Sequence, residues 1–381
     1  MHLQTLRLLN FRNHLDTTCE FTPGINVLLG DNGQGKTNIL EAISYLCLTK
    51  SFYEASDALV LRFEEDLFSV DGRMESGGGI FDIRVAYTDS QHEKVFTINK
   101  RRVEPFSSVI GKFPLVICSP EHAPITSGGP SERRRFVDFV ISQSNALYFQ
   151  ELIEYRKVVR HRNKILLDAR MTRKDPGLML EPWDQQLVTL GSSLTWKRMK
   201  FVSGFQEFIA AAYHHLVGHE EEPSMEYQPQ LSTGPWNSPA SVEEELRENM
   251  ANHRTEELRA GTTLVGPHRD EFLMRINGRD LRKFASQGQH KTFLVALKIG
   301  EFFYLKDRCD ETPLLLLDDI FSELDEHRAA HLLRFTGELS QTFVTSTSPQ
   351  LFDDLLGAGG LHRRIFIQNG MIVEHRSMAT A

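Results

Sequence analysis

Two stretches hold residue types whose spacing suits one chemistry. The first reads Gly30-Asp31-Asn32-Gly33-Gln34-Gly35-Lys36-Thr37-Asn38 and contains the pattern Gly-x4-Gly-Lys-Thr. Glycines let backbone N–H groups turn inward around phosphate oxygens, and the positive end of a following helix adds to the attraction. In that pattern Lys36 reaches the β- and γ-phosphates of a nucleoside triphosphate, and the Thr37 hydroxyl ligates Mg²⁺. The second stretch is Leu314-Leu315-Leu316-Leu317-Asp318-Asp319, an apolar run ending in two carboxylates. Asp318 would hold the metal, directly or through water, and Asp319 would orient or deprotonate an attacking water. Lys36, Asp318 and Asp319 are therefore the candidate catalytic groups.

These residues need elements to hold them. Val27 to Leu29 form an apolar run, and Ile39, Ala42, Ile43 and Leu46 recur at helical spacing, so the order is strand, loop, helix. Four leucines after Pro313 describe a strand covered on both faces, and open α/β sheets bind ligands at the carboxyl ends of such strands. Residues 3–21 alternate as two short strands joined near Asn10-Phe11-Arg12-Asn13. Arg12 and Asn13 either flank the nucleotide or serve only the turn. Leu67–Val70, Phe81–Tyr87 and Lys94–Asn99 read as an antiparallel sheet, and Phe113–Cys118 as a further core strand.

From about Ser131 to Asn252 strand signals vanish, and helical periodicity runs through Arg134–Ala146, Leu147–Ala169, Trp183–Tyr213 and Val242–Arg259. Pro223 to Pro239, with little periodicity, reads as a loop or an irregular extension. The expected organisation is an ATPase-type α/β domain (1–125 and 259–381) interrupted by an all-helical insertion (126–258). Strand texture returns at Thr263-Leu264-Val265, followed by Gly266-Pro267-His268-Arg269-Asp270 and by Glu271–Ile276 with a turn at Asn277-Gly278. His268 reads as a satisfied structural histidine. Ser286-Gln287-Gly288-Gln289 opens an apolar helix with Ser286 as its N-cap, which makes either a second anion site or a plain cap. Gln341–Thr345 is a last core strand ending in Ser346-Thr347-Ser348, and Ile365–Val373 a hairpin around Asn369-Gly370.

With 381 residues the chain can build two lobes, and 40% hydrophobic with 25% charged residues is ordinary for a soluble protein. No apolar run suits a bilayer, and the first residues do not begin a signal peptide, so a cytoplasmic protein without a membrane partner is expected. Cys19, Cys47, Cys118 and Cys309 form no CxxC pair, which speaks against a zinc site or a disulfide framework. A net charge of −8 opposes a polyanionic partner, but the charge is lopsided. Arg156, Lys157, Arg160, Arg162 and Lys164 run together with Arg170, Arg173 and Lys174 against the single acid Asp168, and acids collect at Glu220–Glu222 and from Glu243 to Glu257. The basic run is a candidate nucleic-acid surface or a solvated helix face; Arg133-Arg134-Arg135 and Lys197-Arg198-Lys200 are similar candidates.

The ordered set of P-loop, Ser-Gln-Gly-Gln, LLLLDD and Ser322-Glu323-Leu324-Asp325 resembles the ATP-binding cassette of the SMC-like group, and within it the RecF family of bacterial recombination mediators. The likeness also rests on Asn10 to His14, Gly129 to Asp138, Gly266 to Asp270 and Leu317 to Asp325. It implies ATP and Mg²⁺ as cofactors. It implies a head-to-tail homodimer in which Ser286, Gly288 and Gln289 of one chain complete the site opened by Lys36 and Thr37 of the other. It implies single- and double-stranded DNA bound at gaps or junctions, RecR and RecO as partners, weak DNA-stimulated ATP hydrolysis, and a role in recombinational repair, replication and the SOS response. Three departures stand out. Asp319 is one methylene shorter than the usual glutamate, so turnover should be slow. A switch histidine is absent, leaving Ser346 or Thr347 to serve. No glutamine lies between Phe113 and Glu121, so Glu121 would substitute. A transporter-type cassette keeps its signature roughly 100 residues after the P-loop, whereas Lys36 and Ser286 are 250 apart. An SMC-like DNA-break protein would show long coiled coils, which the periodicity does not support.

Overall fold

Apolar residues in an unbroken run must be covered on every side, and this places the glycine-rich stretch at the heart of its sheet. The computed structural model describes residues 1–53, 56–231, 236–320, 340–349, 352 and 362–378. In chain order the elements are β1 (His2–Phe11), β2 (His14–Glu20), β3 (Ile25–Leu29), α1 (Lys36–Leu48), β4 (Leu67–Ser76), β5 (Gly79–Thr88), β6 (Glu93–Ile98), β7 (Arg101–Arg102) and β8 (Leu115–Cys118). There follow α2 (Pro124–Ser127), α3 (Pro130–Ser144), α4 (Ala146–Thr172), α5 (Glu181–Val217), β9 (Pro223–Gln228), α6 (Pro239–Ala260), β10 (Glu271–Ile276), β11 (Arg279–Asp280), α7 (Leu281–Phe284) and α8 (Gln287–Arg308). The chain ends with β12 (Leu314–Leu317), β13 (Thr342–Ser346), β14 (His362–Gln368) and β15 (Met371–Met378). Residues 1–123 with 298–381 form one compact unit, and residues 124–297 a second.

The first unit contains two sheets. One is antiparallel, ordered β2-β1-β4-β5-β6-β7; the other is ordered β15-β14-β3-β13-β12-β8 and is parallel except for β15. Helix α1 packs on β1, β4 and β5 of the first sheet and on β8 and β13 of the second. A helix covered this way must be apolar almost all round, and Ile39, Leu40, Ile43 and Leu46 are all fully buried. Each contributes roughly 1.5–3 kcal/mol relative to exposure. Gly72 on β4 permits the approach, because a Cβ there would lie 2.2 Å from Leu46 Cδ1. Tyr45 locks the contact by meeting Phe11 and Phe68 edge-on at 5.6 Å each.

Both β3 and β12 are buried throughout, as expected of central parallel strands. The register pairs Leu29 with Ser346 and Leu317 with Val344. The carboxyl ends of β3, β13 and β12 therefore emerge side by side.

The second unit packs α3 to α6 together with a three-stranded sheet, β11-β10-β9. Three sequence expectations are corrected here. The insertion is not all-helical: β9 forms where a loop was expected, paired antiparallel with β10 from Gln228↔Glu271 to Pro223↔Ile276. Its proline falls at the first position, where no ladder N–H is lost, and its partner lies more than forty residues downstream, so local texture carried no sign of it. Conversely, Thr263–Val265 is not a strand. Its backbone is satisfied by side chains instead: Thr263 N donates to Asn163 Oδ1 and Leu264 N to Glu257 Oε1. The unit also reaches Leu297, so residues 259–297, which sequence texture joined to the ATPase part, pack with the helices. The two Asn-Gly turns are as expected, with positive φ at Asn277, Gly278, Asn369 and Gly370. Among the described residues no helix is long and apolar enough to cross a membrane.

Candidate functional site

Gly30 to Gly35 connect β3 to α1 and are held from two sides. Gly30 has φ +152°, and a Cβ on it would lie 2.3 Å from the Ile367 carbonyl oxygen. Gly35 caps α1 at φ +109°, and its Cβ would strike Asn13 Oδ1 and His14 Nε2 at 2.6 and 2.8 Å. Only glycine fits either place. The β14–β15 turn grips the loop at Gln34: Asn369 N donates to Gln34 Oε1 (2.6 Å) and Gly370 N to Gln34 O (3.0 Å). His14 is buried between turn and loop, with Nδ1 2.8 Å from Gly370 O and Nε2 3.2 Å from Gly35 O. Burial pushes its pKa down, while the two carbonyls pull it back up. Asp31, Asn32 and Gly33 stay exposed at the tip of this cradle.

The charged groups converge at the strand ends. Lys36 Nζ donates to Gly30 O (2.7 Å) and Asp31 O (2.8 Å), which leaves its third N–H for a further acceptor. Burial lowers its pKa, opposed by Asp319, Asp318 and Asp31. Thr37 Oγ1 donates to the Asp318 carboxylate (2.9 and 3.1 Å), and Thr345 Oγ1 donates to Asp318 Oδ1 at 2.7 Å. Burial raises the Asp318 pKa, and the two hydroxyl donors work against that rise. Because the one Thr37 proton is committed to Asp318, its oxygen lone pairs remain available. A hydroxyl beside a carboxylate is the donor set of a hard cation that keeps several of its waters, so the residues present fit Mg²⁺. Asp319 is exposed and takes a left-handed backbone (φ +49°), with its N–H donated to Thr345 Oγ1 at 2.9 Å. Such a conformation costs a non-glycine residue on the order of 1 kcal/mol and concentrates at functional sites.

Sequence reasoning did not single out Thr345, yet its hydroxyl ties the two acids together. Its signal was there, in the hydroxyl-rich end of a core strand beside the acidic one. Ser346 and Thr347 were expected in a different role, standing in for a switch histidine: Ser346 Oγ bonds Ser348, and Thr347 is exposed. Glu121 is exposed in the 3₁₀ turn after β8. Asn13 does meet the loop, with Nδ2 3.5 Å from Gly33 O and Oδ1 accepting from Asn38 Nδ2 at 2.8 Å. Arg12 instead forks onto Glu41 of α1 (2.8 and 2.7 Å) and donates to Leu59 O. The buried Glu41, also missed, thereby fastens the turn to the helix. Ser322 to Asp325 lie outside the described residues.

In the second unit Ser286 and Gln289 form a reciprocal cap on α8. Ser286 N donates to Gln289 Oε1 (2.9 Å) and Gln289 N to Ser286 Oγ (3.2 Å). Ser286, Gln287 and Gly288 are exposed. A Cβ on Gly288 would meet nothing nearer than Ser286 Oγ at 3.9 Å. Among the described residues nothing requires a glycine there.

The basic run divides on folding. Arg162 is fully buried, donating to Glu257 Oε2 and Asp184 Oδ1 (2.6 Å each) and to Thr263 Oγ1, so it is no DNA contact. Burying a charge is tolerable only with such pairing. Arg156, Lys157, Arg160 and Lys164 remain exposed on α4, with Arg156 near Asp138 (3.3 Å) and Lys157 near Glu154 (2.7 Å). Arg133 is buried against Glu271, and Arg198 against Asp138 and Asp270. His268 is structural as expected: Nε2 meets Thr263 O, Nδ1 meets Tyr155 OH (2.7 Å), and burial lowers its pKa to about 4.

Comparison with known proteins agrees with this geometry. The RecF/RecN/SMC N-terminal domain model matches residues 2–358. The chain is 38% identical over 376 residues to the DNA replication and repair protein RecF of Salinibacter ruber, covering 97% of this chain and 91% of that one. It is 40% identical over 360 residues to the protein of the same name from Chloroherpeton thalassium, covering 93% and 97%. Two solved structures of the recombination mediator protein RecF in the RecFOR pathway, RecF-ATPrS and RecF-ATP, superpose with TM-scores of 0.90 and 0.89 at 30% and 29% identity, each spanning 99% of this chain and 98% of its own. An Smc head domain from Pyrococcus yayanosii shares the fold alone, with a TM-score of 0.56 at 11% identity over 99% of this chain and 97% of that one.

Proposed function

Because the chain belongs to the RecF family of SMC-like ABC ATPases, we propose that it is an ATP-switched DNA-binding recombination mediator. The observation that carries this reading is the convergence of Lys36, Thr37, Asp318 and Thr345 at the ends of three neighbouring parallel strands. That arrangement suits a triphosphate with its cation. The amides of Gly30 to Gly35 and the third N–H of Lys36 would take the phosphate oxygens, and Thr37 with Asp318 would hold Mg²⁺, which would neutralise phosphate charge. Asp319 presents its carboxylate to the attacking water. It is shorter than glutamate, so hydrolysis is slow, and a fast, DNA-independent rate would count against this assignment.

The exposed Ser286–Gly288 turn supports closure in trans. Its hydroxyl oxygen accepts from Gln289, and no described residue accepts its proton; it is free to donate to the γ-phosphate held by a second copy of the chain. Two ATP molecules would then join two protomers, and hydrolysis would release them. Dimerisation also answers the net charge of −8, since two local basic faces, each carrying Arg156, Lys157, Arg160 and Lys164, line one groove while the rest stays acidic. We assign single- and double-stranded DNA at gaps or junctions as the ligand, RecR and RecO as the partners, and the cytoplasm as the compartment. The output is recombinational repair, replication support and the SOS response.

Gel filtration without nucleotide, with ATP, and with ATP plus short gapped DNA tests the proposal. Doubling of mass on ATP with co-elution of DNA is expected; constant mass and no DNA affinity would overturn it. The Lys36→Arg variant should retain part of its ATP affinity and lose hydrolysis, because the charge persists while reach and geometry change. Normal turnover by that variant would remove Lys36 from the site.

A further inference from the structure

The turn between α5 and β9 carries an acid that the nucleotide site does not explain. Glu221 Oε1 accepts from Gln289 Nε2 at 2.8 Å, and Glu221 Oε2 accepts from the Tyr213 hydroxyl. Gln289 is the residue that caps Ser286, so a hydrogen-bond relay runs Tyr213, Glu221, Gln289, Ser286.

The polarity of the relay matters more than its length. An amide side chain is nearly symmetric in shape and can present either end to a neighbour. A carboxylate only accepts, so Glu221 selects the NH₂ end of Gln289. The oxygen end is thereby left facing the Ser286 N–H, which needs an acceptor. With the amide fixed, Gln289 N remains aimed at Ser286 Oγ and occupies one lone pair of that oxygen. The hydroxyl proton is then the one group of Ser286 left to donate outward.

The relay is anchored at its far end. Tyr213 is fully buried and its ring lies 5.9 Å from that of Phe293, on the same helix as Gln289. The turn itself is pinned by His214 Nε2 to Glu221 O (3.1 Å), and by Asn277, whose Oδ1 accepts from Glu222 N and whose N donates to Glu222 O. We infer that Glu221 is a positioning residue that sets the direction of the Ser286 hydroxyl for the second protomer's triphosphate. This inference rests on the in-trans reading of the Ser286 turn. It assigns to the α5–β9 turn a role in closure that neither its distance from the P-loop in sequence nor its acidic composition suggests.

A double-mutant cycle between Glu221 and Ser286 tests it, using full-length protein and three readouts: ATP affinity of the monomer, ATP-dependent dimerisation, and single-turnover hydrolysis. Ser286→Ala should weaken ATP-dependent dimerisation about tenfold or more, the worth of one hydrogen bond to a charged group, with monomer ATP affinity unchanged. Should it have no effect, the in-trans reading fails first. Glu221→Ala should weaken dimerisation severalfold in the Ser286 background and have no further effect in the Ser286→Ala background, because its influence passes through that hydroxyl. Additive losses would mean that Glu221 only supports the fold, and would overturn the inference, as would full dimerisation by Glu221→Ala. Glu221→Leu provides a second route. It keeps most of the bulk but offers Gln289 no acceptor, so it should reproduce the alanine defect, with circular dichroism confirming that the fold is retained. Wild-type dimerisation by that variant would equally overturn the assignment.

Discussion

Replacing Thr345 with valine removes one hydroxyl and preserves the shape of the side chain within a fully buried strand. Two hydrogen bonds go with it: the donor to Asp318 Oδ1 at 2.7 Å and the acceptor for Asp319 N at 2.9 Å. A hydrogen bond to a charged group contributes about 1.5–3 kcal/mol and one between neutral groups about 1 kcal/mol. If the first is realised in positioning the cation and the second in holding Asp319 in its left-handed conformation, hydrolysis should slow by about 60- to 700-fold, since 1.4 kcal/mol is a factor of ten. ATP affinity should change little, because Lys36 and the loop amides are untouched. Loss of a donor also raises the Asp318 pKa further above its ordinary range, so the acid limb of the rate profile should move to higher pH. The assay is single-turnover hydrolysis across pH at saturating MgATP, with nucleotide affinity measured separately by fluorescence. Ser346→Ala is the control and should behave as wild type. A Thr345→Val rate within twofold of wild type, with an unshifted profile, would refute the coupling of the two acids through this hydroxyl.

Three further outcomes follow from the same geometry. Among the described residues Gly288→Ala meets nothing nearer than Ser286 Oγ at 3.9 Å and improves helix propensity, so the monomer should gain up to about 1 kcal/mol while ATP-dependent dimerisation falls at least about tenfold; intact dimerisation would show that nothing approaches Gly288 closely. Asp318→Asn should cut hydrolysis about a hundredfold or more yet raise the melting temperature at neutral pH. Burial raises the Asp318 pKa in the folded state, so its ionised form costs stability, the cost grows as pH climbs from the unfolded pKa through the folded one, and that part of the pH dependence should vanish in the variant; an unchanged or lower melting temperature counts against the assignment. On α4, Arg160→Glu with Lys164→Glu should weaken DNA binding and reduce its salt dependence without unfolding the protein, whereas Arg162→Met strands the fully buried Glu257 and should cost about 3–5 kcal/mol. Denaturant melts and DNA titrations at two salt concentrations separate the two effects, and a stable Arg162→Met protein would contradict its structural role.

Much of this protein was readable from short windows, because short windows hold their causes. A strand, six residues rich in glycine and a helix follow one another between Val27 and Leu46. Four consecutive leucines need cover on both faces, and the Asn-Gly pairs at 277–278 and 369–370 supply positive φ on their own. Ser286 and Gln289 cap a helix across one turn. In each case the physical requirement and the residues that meet it lie within a few positions of each other.

What remained hidden was decided by register and by which face turned inward. The bond from Thr345 to Asp318 exists because β12 and β13 align in parallel with Leu317 beside Val344, and no spacing rule transmits that alignment. Strand β9 depends on a partner beyond α6. Arg162 looked like its exposed neighbours Arg160 and Lys164, yet helical rotation carries it into the core, where Glu257 and Asp184 arrive from two other helices. The sequence by itself determined that a triphosphate cradle and an acidic strand would form. Tertiary structure alone chose the hydroxyl that joins the acids, the glutamine clamped by a distant turn and the cations left outside, because those choices depend on packing between segments far apart in the chain.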